Sequence, residues 1–279
     1  MIKIVTDSTA DVPRALLERH DIRVVPINIQ FGQETYREGL DIDRATFFRK
    51  LEESMPTSSQ PSPGQFSEVY QQLAGQGHSI LTVVVTSKHS GTHQSAMLAK
   101  SMLPDARIEV FDSLSISMGT GYQVIAAARA AEEGKNMDEI LRLLEGIRSK
   151  THLYFTPATL KYLQRSGRVG KLAGALGSLL HVNPMIRLED GTLEAFEKVR
   201  GRGKALDRLV ELTAQAVGTT APVKLAVIHA EADGEAEAVR ARLQENFRCD
   251  EMHVAELACS LTVHGGPGII GIISYKVGP

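Results

Sequence analysis

The sequence predicts an α/β protein of two domains: residues 1–150 on a largely parallel sheet with flanking helices, and residues 151–279 on a mixed sheet with helices. Three observations carry that expectation. Short β-branched runs alternate with helical patterns through the first half, the rhythm of a parallel sheet covered by helices. Beyond about Lys150 two runs are joined by the tight turn Asp190-Gly191, which signals antiparallel pairing. The length of 279 residues, with 43% hydrophobic and 23% charged side chains, supplies enough apolar surface for one large core or two modest ones.

Taken in order, Ile2 to Thr6 reads as a strand, Pro13 to His20 as a helix, Arg23 to Ile29 as a strand and Asp43 to Glu52 as a helix. Ser62-Pro63-Gly64-Gln65 places a capping serine, a proline at the first helical position and a glutamine three residues after the cap. Phe66, Val69, Tyr70 and Leu73 follow at helical spacing. The apolar run Ile80 to Val85 suits a central strand, and it leads through Thr86 to Thr92 into a helix ending near Met102. Arg107 to Phe111 repeats the pattern, with Asp112-Ser113 and then a helix through Ala131. In the second half, strands are expected at Met185 to Glu189, Leu193 to Val199, Lys224 to His229, Met252 to Leu257 and Gly271 to Val277. Helices are expected at Lys204 to Val217 and Glu235 to Phe247.

Composition narrows the function classes. Thirty-one Lys and Arg against 33 Asp and Glu give a formal charge of −2, unlike a protein that coats nucleic acid. The longest nearly uncharged stretch, Leu172 to Ile186, contains glycines, Asn183 and Pro184 and is shorter than the roughly 20 apolar residues of a spanning helix. The acidic, hydroxyl-rich Thr6-Asp7-Ser8 stands where a signal peptide would have its apolar core, so a cytoplasmic location is expected. Cys249 and Cys259 show no CxxC spacing and read as thiols of a reducing compartment.

Several strand ends deliver hydroxyls to one edge of the first sheet: Asp7-Ser8, Ser87, Ser90-Gly91-Thr92 and Asp112-Ser113. That edge is where parallel α/β sheets bind ligands, and helix N-termini there favour an anion. N-capping explains each residue singly. The further cluster Ser58-Ser59-Gln60-Pro61-Ser62, just ahead of a capped helix, could meet the first. No GxxxxGK[ST] loop exists. A GxGxxG occurs at Gly266 to Gly271, but only eight residues follow it, so no helix and returning strand fit; these glycines are expected to let backbone approach a ligand or another chain. His264 precedes that turn in a loop of small residues and is a candidate ligand contact. His89 and His93 could share a helix face, yet no HExxH pattern or carboxylate cluster accompanies them, and no metal is expected. A Ser90 nucleophile with His264 as base and Asp7 as orienter would make a serine-dependent acyl hydrolase, although no GxSxG elbow is present. A binder of small phosphorylated metabolites is the other alternative. Residues 161–204 hold nine basic and four acidic side chains, a balance of +5 against −7 for the rest, which suits either a solvated face or docking to an acidic or phosphate-bearing partner.

Five stretches in order resemble the DegV family, the fatty-acid-binding subunits of bacterial fatty acid kinase. They are Ile4 to Thr9, Ser59-Gln60-Pro61-Ser62-Pro63-Gly64, Ser90-Gly91-Thr92-His93-Gln94-Ser95-Ala96, Tyr162 to Arg168, and His264-Gly265-Gly266-Pro267-Gly268. The resemblance implies a two-domain α/β protein that encloses a fatty acid between its domains. It implies a non-catalytic role: the carboxylate is presented to a separate ATP-dependent kinase subunit that makes the acyl phosphate for phospholipid synthesis. No cofactor other than the bound fatty acid, no nucleic acid and no integral membrane association are implied. Carried onto this sequence, the carboxylate contacts are Ser58, Ser90 and His264, with Ser59, Gly91 and Gly265 as secondary contacts and Arg168, Arg200 and Arg202 as partner-docking residues. Two departures stand out. Ser58 replaces the family's threonine while keeping the hydroxyl, and Asn183 stands where the family often has a lysine before Pro184.

Overall fold

A computed structural model of the chain describes residues 1–168 and 182–278. Packing divides them into two units: residues 1–148 with 258–263, and residues 149–257 with 264–279. A cut at residue 150 would place Ala258–Val263 in the later part of the chain, whereas that segment packs with the first unit.

In the first unit, β1 (Ile2–Asp7) runs into a single 3-10 turn (Ser8–Ala10), α1 (Arg14–Arg19), β2 (Arg23–Val25), β3 (Asn28–Phe31) and β4 (Glu34–Arg37). Next come α2 (Arg44–Glu53), β5 (Thr57–Ser59), α3 (Pro63–Gly75), β6 (Ser79–Val84) and α4 (Thr92–Ser101). The series closes with β7 (Ile108–Asp112), α5 (Met118–Glu132) and α6 (Met137–Lys150). Strands β2-β1-β6-β7 form the parallel sheet. Its central strands are buried on both faces, so they read as nearly continuous apolar runs such as Ile80 to Val84, interrupted by Thr82, whose hydroxyl donates to Tyr70 Oη at 2.8 Å. Phe66, Tyr70 and Leu73 of α3 pack against it with Val5, Val84 and Ala96. The Ser62 cap is a full capping box, with Gln65 N–H donating to Ser62 Oγ and Ser62 N–H to Gln65 Oε1.

Arg23 to Ile29 is not one strand. Pro26 brings no N–H to a ladder, and the chain leaves β2 there to enter a separate antiparallel sheet, β4-β3-β5. Ile27 N–H is satisfied by Ser8 Oγ at 3.0 Å instead. That small sheet is absent from the sequence-based expectation because its strands have three or four residues each. Helix α6 also went unanticipated.

In the second unit lie β8 (His152–Thr156), α7 (Lys161–Ser166), β9 (Val182–Glu189), β10 (Thr192–Arg200), α8 (Arg202–Val217) and β11 (Val223–His229). They are followed by α9 (Asp233–Asn246), β12 (Cys249–Glu256), α10 (Cys259–Gly265) and β13 (Ile270–Lys276). The sheet order β10-β9-β8-β13-β11-β12 is mixed, with only β11 and β12 parallel. Asp190 and Gly191 both take positive φ, 47° and 78°, as the two-residue hairpin between β9 and β10 requires. Helices α8 and α9 cover one sheet face through Leu209, Leu212, Val239 and Leu243. Helix α10 begins in the first unit, and from His264 onward the chain belongs to the second.

Candidate functional site

Strands β1 and β6 are the neighbours from which the parallel sheet's connections diverge to opposite sides, the position at which open α/β sheets bind ligands. Asp7 ends β1 there. Its Oδ1 accepts from Thr9 N–H at 2.9 Å and Thr9 Oγ1 at 2.5 Å, and its Oδ2 accepts from Val85 N–H at 2.8 Å. Burial raises the Asp7 pKa despite those hydrogen bonds. With Oδ2 tying the end of β1 to Val85 beyond β6 and Oδ1 held by Thr9 in the following turn, Asp7 is a staple, and the orienting role of a hydrolase triad is not what its geometry provides.

The two hydroxyl clusters meet in this unit. Ser58 is half-buried in β5 opposite Ile29, and Ser59, next along the strand, is exposed opposite Asn28. The following residue, Gln60, lays its side-chain amide over Gly91, where a Cβ would lie 2.8 Å from Nε2. Ser90 Oγ is 2.8 Å from Thr92 Oγ1 and accepts from Thr92 N–H at 3.3 Å. This bonding holds the Ser90 hydroxyl half-buried at the start of α4, one residue before the glycine that Gln60's amide overlies. The arrangement offers hydroxyl and amide donors on one patch, suited to a carboxylate or phosphate oxygen. His89 lies in the turn before α4 and His93 in its first turn, so the pair does not share a helix face. Among the described residues no group of three or more His, Cys, Asp or Glu is disposed to hold a metal ion.

A second polar centre in the same unit has no sequence signal. Glu38, just beyond β4, accepts from Ser8 Oγ at 2.5 Å and Ser260 Oγ at 2.7 Å on Oε2, and from Ser260 N–H at 2.8 Å on Oε1. Asp11, at φ 51°, accepts from Ser117 Oγ on Oδ2 and from Ala258 N–H at 2.9 Å on Oδ1. Both residues are part-exposed, but their carboxyl ends are enclosed, and this loss of water raises both pKa values, Asp11's well above the ordinary range. Partners more than 200 residues away leave no local pattern to read.

In the second unit, His264 is half-buried in the last turn of α10 and not in a loop. The glycines after it are closely approached by the protein's own side chains. A Cβ at Gly266, whose φ is +81°, would collide with the Tyr162 ring, one at Gly265 with the Ile269 side chain, and one at Gly268 would lie 2.6 Å from Ala158 Cβ. Arg202 fastens this turn. Its Nη2 donates to Gly268 O at 2.7 Å and Glu235 Oε2 at 2.6 Å, its Nε to both Glu235 oxygens at 3.1 Å, and its Nη1 to Thr156 O at 3.4 Å. Arg202, one of the expected docking residues, is thus engaged in an internal clamp. Arg168 folds back onto Ser166 O at 2.8 Å, and Arg200 is exposed at the end of β10. Lys171, part of the basic stretch, and most of Leu172 to Ile186 lie outside the described residues. No helix among the described residues is long and apolar enough to cross a membrane.

Comparison with known proteins covers nearly the whole chain. A family model described as "DegV: Uncharacterised protein, DegV family" matches residues 1–277. Protein DegV of Bacillus subtilis is 32% identical over 274 residues, spanning 97% of this chain and 98% of that protein. A DegV domain-containing protein of Streptomyces coelicolor is 37% identical over 275 residues, spanning 98% and 97%. Among solved structures, a DegV family protein from Thermus thermophilus described as fatty acid binding superposes with TM-score 0.93 at 32% identity, covering 99% of both chains. A stearic acid-binding protein from Eubacterium ventriosum gives TM-score 0.91 at 26% identity, covering 99% of this chain and 98% of that one.

Proposed function

Because this chain belongs to the DegV family, we propose that it binds a long-chain fatty acid and holds the carboxylate with the hydroxyls of Ser58 and Ser90. His264 contacts that carboxylate or an incoming phosphoryl group, with Ser59, Gly91 and Gly265 as secondary contacts. The protein presents the carboxyl group to a separate ATP-dependent kinase subunit. There the carboxylate oxygen takes the γ-phosphoryl group of ATP, leaving ADP and an acyl phosphate, and the carrier itself catalyses nothing.

The observation that carries the reading is the meeting of Ser58-Ser59-Gln60 with Ser90-Gly91-Thr92 through Gln60 and Gly91. It gathers donors from two sequence-distant segments at the ligand-binding edge of a parallel sheet. The fatty acid ligands of similar DegV structures supply the chemical class. Burying about 14 methylenes at roughly 0.8 kcal/mol each sets an upper bound near 11 kcal/mol before the costs of binding. Each hydroxyl contributes only about 1–3 kcal/mol. The tail thus dominates affinity, and the hydroxyls orient the head and keep a desolvated carboxylate paired. Exposed Arg200 supports a role in steering the kinase, since rim charges act mainly on association rate.

Mass spectrometry of denatured, freshly purified protein tests the reading and should release a stoichiometric long-chain fatty acid. Finding no lipid, together with no thermal shift on adding fatty acids of several lengths, would overturn it. Hydrolysis of an activated ester by the protein alone, abolished by Ser90→Ala, would replace it with the hydrolase.

A further inference from the structure

We propose that a cleft at the foot of the first sheet binds a small zwitterion with an apolar side chain, the chemistry shared by a free apolar amino acid and a short apolar peptide. Strands β6 and β7 are parallel neighbours, and both begin at this end of the sheet. Helices α3 and α4, which precede them, finish here. Between the two helix-to-strand turns lies a cavity of about 600 Å³, a size suited to a small molecule. It stands at the start of β6, whereas Ser90 lies beyond that strand's other end.

Two opposite charges line the cleft without meeting. Arg107 and Asp105 are both exposed, and among the described residues neither side chain makes an ion pair or a hydrogen bond, with the other or with any third group. The guanidinium fork of Arg107 matches a carboxylate. Asp105 matches an ammonium. Half-buried His78 and Ser79 add polar groups from the α3–β6 turn.

The helices set the ligand's orientation. The cavity touches the last turn of α3 at Ala74 and Gly75 and the end of α4 at Met102. Two helix C-termini therefore meet it, and their partial negative charge favours an ammonium. The N–H groups of Ser79 and Ile80, four residues beyond Gly75 and Gln76, donate instead to Met1 O at 3.1 Å and Arg107 O at 2.8 Å. No helical bond thus reaches the Gly75 and Gln76 carbonyls. The ammonium belongs at the helix ends and Asp105, and the carboxylate at Arg107.

The remaining wall is apolar or bare. Met102, 58% exposed, and Pro104 offer a surface for an apolar side chain. Gly75 has no positive φ, and a Cβ there would meet nothing within 4 Å. Neither backbone conformation nor crowding within the chain calls for glycine at a position where alanine would favour the helix. A stretch of uncovered backbone is what close approach of a ligand requires.

Backbone-amide NMR of the protein titrated with L-leucine, and separately with leucylleucine, tests this. Shifts should concentrate at residues 74–79 and 102–107, and the probe that saturates at lower concentration identifies the free or the peptide form. N-acetylleucine, which lacks the ammonium, and leucinamide, which lacks the carboxylate, should each bind at least about tenfold more weakly, the effect of one lost charged hydrogen bond. Arg107→Gln and Asp105→Asn should weaken leucine binding to a similar degree and melt with the parent, since both side chains are exposed. No shifts with either probe at millimolar concentration, blocked analogues that bind as well as leucine, or unchanged affinity in both variants would overturn the site. If a variant does not fold, the blocked analogues decide. The probes carry no long acyl chain and the shifts are read at the far end of β6 from Ser90, so the outcome is separate from that of the lipid-binding reading.

Discussion

The Gln60 side-chain amide lies over Gly91, with Nε2 only 2.8 Å from where a Cβ would be. Gly91 itself has an ordinary φ of −78°, so space rather than backbone conformation demands glycine there. Gly91→Ala should therefore fold, because the obstructing atoms are the far end of a flexible side chain. Stability should fall by about 1 kcal/mol, the low end of the cost of overpacking, because only a flexible side chain has to move. Fatty acid affinity should drop more clearly, since Gln60 must swing away from the Ser90 turn. Adding Gln60→Ala should recover the stability lost to Gly91→Ala, a coupling that a double-mutant cycle by urea denaturation would measure. Strictly additive effects would mean the two residues do not touch.

Ser58→Ala and Ser90→Ala should leave the fold intact and weaken acyl-phosphate formation with a cognate kinase subunit. Ser90→Ala also removes the acceptor for Thr92 N–H and the partner of Thr92 Oγ1, which should lower stability by about 1 kcal/mol. Titration calorimetry and a coupled ADP assay separate the two losses. Normal acyl-phosphate production in both variants would remove these serines from the headgroup site.

Arg200 and Arg202 should behave differently. Arg202→Ala leaves Glu235 and Gly268 O without their guanidinium donor, and should cost about 1–2 kcal/mol in denaturant unfolding, less than a fully buried pair because both side chains are partly solvated. Arg200→Glu, on an exposed strand end, should change stability by less than about 0.5 kcal/mol. Its effect should appear as slower coupling to the kinase, most visible at low ionic strength. Equal coupling at every salt concentration would exclude Arg200 from the docking surface.

Gly266→Ala should be strongly destabilising, by more than about 2 kcal/mol, because a left-handed backbone penalty adds to a collision with the Tyr162 ring. Thermal unfolding of Gly266→Ala beside Gly203→Ala, where the space is open, isolates the effect. Comparable melting temperatures for the two would refute the close approach.

Stability should carry the mark of the enclosed acids. Asp7, Asp11 and Glu38 have raised values in the folded state, so that state binds their protons more tightly than the unfolded chain does. Their contribution becomes more favourable as pH falls through the raised folded values, and the gain is complete below the unfolded values near 3.8 and 4.5. Glu38→Gln should therefore gain stability relative to the parent as the pH rises from 5 to 8. Exposed Asp41, lowered to about 2 chiefly by its bond from Arg37, acts oppositely, and its contribution is lost only in strong acid. A constant difference between Glu38→Gln and parent across that range would show that Glu38 does not titrate there.

The sequence by itself determined the α/β class, the parallel first sheet, the mixed second sheet, the capped α3 and the Asp190-Gly191 hairpin. Each depends on neighbours within about a dozen residues: a β-branched run, a serine three positions before a glutamine, two positive-φ residues between strands. The motifs also pointed to Ser58, Ser90, His264 and their family. Tertiary structure alone decided that Pro26 splits one apparent strand between two sheets, that Asp7 is a staple, that Arg202 clamps Gly268, and that Glu38 and Asp11 capture Ser260 and Ala258. Those outcomes depend on which distant backbone N–H or carbonyl the fold brings within 3 Å, a choice made by the packing of whole elements and left unrecorded in any local spacing.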